Sequence, residues 1–228
     1  GLKVTKEEAK QGADRNVGNQ TIGPFQPSKG KTVAESPNAR WQMDLADVKA
    51  DVGHQSEDWF FQNAVNVFNR KMYSEPLTSK RQEEVRDALK KIVACAPKQK
   101  PITISSDRGT EFTDKAMTDY IDSLGIKRRY KDRGDTNAIA VVDRGMGQLK
   151  RKLAGIETMT KAGWSSALQR ATKALNDEPK PDVLHGASPN EVDGDEDVKF
   201  MLVQDNTKGM VKKQSVVGTR ERALKKTN

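Results

Sequence analysis

Between Arg40 and Leu175 the apolar residues change period in a fixed order, and that order is the tightest constraint on the fold. RWQMDLADV (40–48) alternates, with Trp41, Met43 and Leu45 on one side and Arg40, Gln42, Asp44 and Ala46 on the other. DWFFQNAVNVFNRKMY (58–73) continues as two more strands, so the opening predicts a three-stranded antiparallel meander. The period then becomes helical. Val85, Ala88, Leu89, Ile92 and Val93 form an apolar stripe, with Ser79 and Gln82 as the expected capping box and Pro97 as the stop. The run Ile102–Ile104 predicts a buried strand that turns at Gly109. Phe112, Ala116, Met117, Tyr120, Ile121 and Leu124 predict a second helix ended by Gly125, and Ile126–Tyr130 a fifth strand. Lys131–Ala140 is polar and reads as a loop. Two helical stripes close the pattern: Val142, Met146, Leu149, Leu153 and Ile156, then Trp164, Ala167, Leu168, Ala171 and Leu175.

Meander, helix, strand, helix, strand, helices is the order of an α/β chain with an RNase H-like fold. It predicts a five-stranded mixed sheet flanked by helices, with extended N- and C-terminal tails. Only 34% of the 228 residues are hydrophobic and 32% are charged, so part of the length is extension rather than core. Residues 1–38, with Pro24, Pro27 and Pro37, read as a polar linker with one short helix near Lys6–Asp14. Residues 39–193 form the expected core, and 194–228 a C-terminal helix and basic tail. From Asn206 onward seven Lys or Arg stand against one acid, Glu221.

The composition also excludes classes of function. A single cysteine, Cys95, rules out an internal disulfide, and its place after Ile92 and Val93 suits a core or helix-end residue. With only His54 and His185 beside it, no Cys/His zinc site can be built. No apolar run approaches membrane-spanning length and no signal-peptide pattern opens the chain, so the expectation is a soluble, intracellular protein. A net charge of +8 favours polyanionic partners such as nucleic acid.

Three aspartates carry the chemistry. Asp44 lies on the polar side of the first strand. Asp107, in ITISSDRGTEF (102–112), ends a short apolar run. Asp143, in IAVVDRGMGQLKRKL (139–153), heads an amphipathic helix, with thirty-five residues between it and Asp107. Taken singly each has an ordinary explanation: a solvated strand residue, a turn opener, or a first-turn acid favoured by the helix dipole. Together, two strands and a helix deliver three hard oxygen donors, the set that suits divalent cations which keep several of their waters. Two such ions about 3.5–4 Å apart serve both ends of an in-line displacement at phosphorus. Without cations, converging carboxylates repel and must hold raised pKa values.

This arrangement resembles the catalytic core of retroviral and retrotransposon integrases. RWQMDL resembles the family's first-aspartate strand, and NVFNRKMYSEPLTSK (66–80) the segment after it. SSDRGTEF is similar to the second-aspartate motif, with Arg108 where Asn is common, and SPNEV (188–192) to the closing segment of the core. The resemblance spans Pro37 to Val192. It implies a polynucleotidyl transferase and endonuclease that processes the 3′ ends of retroelement DNA and joins them to target DNA. Asp44, Asp107 and Asp143 would hold two Mg²⁺ or Mn²⁺ ions. It also implies a homo-oligomer acting in the nucleus or a virus-like particle. The third position departs from the pattern, with Asp143 where the family has Glu, Met146 where Asn is common and Gly147 where a longer polar residue is expected.

Lys150 lies seven residues after Asp143, on the same helix side, and is placed to hold a DNA phosphate, with Gln148 and Arg151 flanking it. Lys127, Arg128, Arg129, Lys131 and Arg133 lead into the polar loop and could track a second strand. Such contacts give salt-dependent affinity blind to sequence. Two rival readings remain: a degenerate core that binds but no longer cuts, and an RNase H-like nuclease in which Glu111 or Asp114 adds a fourth carboxylate. Trp41, Trp59 and Trp164 read as core residues, and the two histidines have no assigned role.

Overall fold

The computed structural model describes residues 32–48, 60–96, 100–132, 138–160 and 164–209, the side chains of 155–160 and 164 excepted. The expected helix near Lys6–Asp14, the Pro97 stop, Arg133 and the tail beyond 209 lie outside these residues, as do Trp59 and His54 and the side chains of Ile156 and Trp164. Five strands form one mixed sheet: β1 (Arg40–Asp47), β2 (Phe60–Asn66), β3 (Met72–Leu77), β4 (Thr103–Ser106) and β5 (Lys127–Tyr130). Their order is β3-β2-β1-β4-β5. The meander pairs antiparallel, while β4 and β5 add in parallel to β1. Parallel additions need crossovers, and helices supply them: α1 (Gln82–Ala94) between β3 and β4, then α2 (Thr110–Thr113) and α3 (Lys115–Ser123) between β4 and β5. Four more follow: α4 (Ala140–Thr160), α5 (Trp164–Asp177), α6 (Pro181–Leu184) and α7 (Pro189–Val192), and a last helix runs over 196–209.

The alternation in β1 sorts its side chains as expected. Trp41 and Met43 join Leu89, Ile92, Phe112 and Ile121 under α1–α3, and Trp41 stacks on Tyr73 at 4.9 Å. Ala46 lies on the opposite face with Phe61, Val65, Val142, Leu149 and Leu168, under α4 and α5. Leu149 is fully buried, so Leu149→Ala would cost about 2–5 kcal/mol. The edge strand β3 is covered by α5: the Met72 N–H donates to Asn176 Oδ1 and the Asn176 amide donates to Met72 O, both at 2.8 Å. This satisfies backbone groups that an open edge would leave exposed.

Three local expectations are corrected. Ser79 and Gln82 do not form a capping box. Glu84 instead accepts from the Ser79 and Thr78 hydroxyls and both backbone N–H groups, because its two oxygens satisfy a whole turn at once. The second helix is broken at Asp114, whose carboxylate caps α3 by accepting from Ala116 N and Met117 N. Ile102 is 56% exposed, and the buried strand begins one residue later. Gly125 does end α3, with φ +70, a conformation glycine adopts without strain. Cys95 caps α1 and is exposed.

Candidate metal and nucleic-acid site

Strand register sets the first two carboxylates side by side. Gln42 pairs with Ser105 across the parallel β1–β4 ladder. Continuing that register two residues brings Asp44 level with Asp107, one step past the end of β4. Asp107 opens a turn in which Gly109 N donates to its Oδ1 at 3.0 Å. Asp44 Oδ1 accepts from Leu45 N at 2.8 Å. Asp143 is in the first turn of α4, above the same face of β1.

The start of α4 is fixed by β1 itself. Gln42 is fully buried; its Oε1 accepts from Val141 N at 2.9 Å and Val142 N at 3.1 Å, and its Nε2 donates to Ala138 O at 2.8 Å. A side chain two residues from Asp44 therefore caps the helix that carries Asp143. Gly145 lets the helix sit low on the sheet. A Cβ there would lie 3.1 Å from Met72 Sδ and 3.2 Å from Val65 Cγ2, tighter than ordinary packing permits. Glycine in a helix interior costs roughly 0.5–1 kcal/mol against alanine, and close approach of the helix offsets that cost. A low helix also suits a carboxylate one methylene shorter than Glu.

The charges of Asp107 and Asp143 both reach Asp44. Asp44 is raised to about 6, first by burial and then by the charges of Asp107, Asp143 and Glu111, with the Leu45 bond opposing. Asp143 reaches solvent, yet burial and Asp107 raise it while Lys131 pulls it down. Among the described residues, no three Asp, Glu, His or Cys side chains close around a single point that could hold an ion. The donor set still fits hard divalent cations: carboxylates only, like-charged, and stabilised by any cation placed among them.

The expected DNA-binding residues divide between locations. Lys150 is on the Asp143 side and donates to Asp47 O at 2.9 Å, over the outgoing end of β1. Gln148 and Arg151 do not flank it symmetrically. They line a cavity on the other side of α4 with Arg144. Lys127 and Arg129 are exposed on the edge strand β5, whereas Arg128 lies over the Tyr130 ring and donates to its hydroxyl. Lys131 is near enough to Asp143 to lower its pKa. Glu111 reaches Asp44 electrostatically, while Asp114 is used up as a helix cap.

Sequence reading missed three residues of this site. Gln42 was placed on the correct side of β1, but nothing local reveals a helix start ninety-nine residues away. Gly145 carries no local signal of its close approach to Met72 and Val65. Asn63 pairs with Asp44 across the β1–β2 ladder and is fully buried; its Oδ1 accepts from Ser74 Oγ while its Nδ2 has no partner. Met146, read as a departure from the family pattern, is buried in the core beneath α4.

Residues 34–136 match the family model of the integrase core domain, a span that includes Asp44 and Asp107 and ends before Asp143. The catalytic core domain of BIV integrase superposes with a TM-score of 0.55 at 19% identity, covering 68% of this chain and 93% of that one. The HTLV-2 integrase catalytic core domain, in a trimeric form with magnesium, gives 0.57 at 18% identity, covering 68% and 96%. No curated protein sequence matches the chain. The match to the integrase core domain thus covers the sheet and the helices between its strands, and the chain carries the RNase H-like fold of an integrase catalytic core.

Proposed function

We propose that this chain is a polynucleotidyl transferase that hydrolyses DNA near a 3′ end and uses the resulting 3′-hydroxyl to attack target DNA. The observation that carries this reading is the electrostatic coupling of Asp44, Asp107 and Asp143, delivered to one face by β1, the end of β4 and α4. Bound Mg²⁺ or Mn²⁺ would lower the pKa of the attacking oxygen and stabilise the leaving one. The three aspartates would hold the ions, and Asp143, open to solvent, would face the incoming strand. Lys150 and Lys131 would orient the phosphates, so the protein acts by positioning and electrostatic stabilisation. DNA ends and target DNA are the partners this reading requires, and joining two ends favours a homo-oligomer at work in the nucleus or a virus-like particle. The test is strand cleavage and joining on labelled duplex ends with Mn²⁺, comparing wild type with Asp107→Asn; metal-dependent products lost in the variant support the reading.

A second reading has one observation in its favour. Glu111 is a fourth carboxylate in reach of Asp44, as a nuclease acting on RNA–DNA hybrids would require. Cleavage of hybrid but not of duplex DNA, lost in Glu111→Gln, would select it.

A further inference from the structure

We propose that the cavity between helix α4 and the β2–β3 turn is a phosphate-binding pocket centred on Arg70. The cavity has a volume of about 440 Å³ and is roofed by α4 and by the segment joining α5 to α6. Its wall carries Arg70, Arg144, Arg151 and Lys180 against two acids, Glu178 and Asp182. Glu178 is already engaged by Lys152 at 3.4 Å. The cationic excess is built into the wall rather than scattered over a surface.

Arg70 is the centre for three reasons. Its Nη2 donates to Thr32 O at 3.1 Å, but Nη1 is enclosed and has no partner, and among the described residues no carboxylate pairs with it. A buried guanidinium without a counter-charge is costly, and an oxyanion is its natural complement. Second, the charges around it are of the wrong sign for stability alone: burial and then Arg144 lower Arg70 to about 10. Lys180 is lowered by burial and by Lys152, with Glu178 opposing. Third, Arg70 has φ +62, where glycine or asparagine would be less strained, so the turn keeps an arginine against its backbone preference. Gln148 adds an amide to the same wall.

A phosphate has the charge and the acceptor geometry for the guanidinium of this pocket. Two sources could supply it: a backbone phosphate of a nucleic-acid strand crossing α4, or free inorganic phosphate. The pocket stands on its own geometry. Only its assignment to a strand rests on the polynucleotidyl transferase reading.

The experiment uses the full chain and its Arg70→Gln variant, with two probes: inorganic phosphate in thermal unfolding, and a fluorescein-labelled oligonucleotide in anisotropy titrations across a salt series. In wild type, phosphate raises the melting temperature beyond an ionic-strength-matched chloride control and displaces the oligonucleotide. In Arg70→Gln the phosphate response is lost and the phosphate-free melting temperature is unchanged or higher. Oligonucleotide affinity falls about tenfold, the worth of one charge-assisted contact, and the salt slope falls by about one. A lost phosphate response with unchanged oligonucleotide binding supports the pocket and assigns it to free phosphate. A variant that melts lower by the same amount at every phosphate concentration and binds the oligonucleotide like wild type overturns the proposal, because Arg70 is then only structural. If Arg70→Gln does not fold, Lys180→Gln carries the same readouts, and an unchanged phosphate response there overturns the proposal. Asp107→Asn keeps the phosphate response, so failure of the carboxylate reading and failure of the pocket are seen separately.

Discussion

Helix α4 has two polar flanks built on different principles. Toward β1 it presents Asp143, whose charge reaches Asp44, and Lys150, which donates to Asp47 O. Toward the β2–β3 turn it presents Arg144, Gln148 and Arg151 to the cavity. The first flank gathers negative charge from three separate elements, and burial with the neighbouring carboxylates raises Asp44 and Asp143. The second gathers positive charge around Arg70, a half-buried arginine whose Nη1 is enclosed. Each is unfavourable alone, and each is relieved by a ligand of the opposite sign: a cation on one side, an anion on the other. A single apolar seam of Val142, Leu149 and Leu153 holds both flanks at fixed height over the sheet.

The largest expected effect breaks the first flank. Asp107→Asn should reduce metal-dependent cleavage by about a thousandfold or more, as losing a central electrostatic group does, with DNA affinity nearly unchanged in a binding titration. Equal loss of both would mean that Asp107 holds the loop rather than the chemistry.

Next is the docking of α4. Gly145→Ala should lower activity by about tenfold, although alanine favours helix by roughly 1 kcal/mol, because its Cβ meets Met72 and Val65. Adding Asp143→Glu, whose reach is longer, should recover part of that loss. If the longer acid gives no recovery in the alanine background, helix height does not set the position of the carboxylate.

A smaller effect concerns stability and pH. Asp44 is raised in the folded state from 3.8 to about 6. As pH climbs through that window, the unfolded chain sheds a proton that the folded chain retains, so metal-free stability falls from pH 4 to pH 6 and stays low above it. The deficit is roughly 1–3 kcal/mol after allowance for partial exposure. Asp44→Asn should therefore stabilise the metal-free protein at pH 7.5 but not at pH 4, measured by denaturant unfolding. The smallest effect belongs to the second flank: Arg151→Ala should lower the salt slope of DNA binding by about one and leave the metal response intact.

How much of this was legible in the sequence depended on how local each cause is. Alternation in RWQMDLADV placed Asp44 beside Gln42 and opposite Trp41, because strand periodicity is a property of the residues themselves. Asp107 and Asp143 stood out because one follows the end of a strand and the other lies in the first turn of a helix, whereas Asp44, inside β1, stood out only by its alternation. The β1–β4 register was not legible, yet it is what sets Asp44 level with Asp107. Long-range contacts were invisible for the same reason: Gln42 bonds a helix almost a hundred residues away, and Arg70 faces a cavity closed by residues 178–183. Met146 was legible in the same local way as the strand alternation: helical period placed it on the inner stripe of α4, where it is buried. The expected cap at Ser79 failed because Glu84, two residues beyond Gln82, captured the hydroxyl.

The most direct test of the carboxylate site is the stabilisation that Mn²⁺ confers on wild type and on Asp44→Asn, measured from pH 5 to pH 8. The account predicts that Mn²⁺ raises the wild-type midpoint increasingly as pH passes about 6, when Asp44 gives up its proton, and that this rise is largely lost in the variant. Equal, pH-independent stabilisation of both proteins would contradict a shared metal site built on Asp44, Asp107 and Asp143.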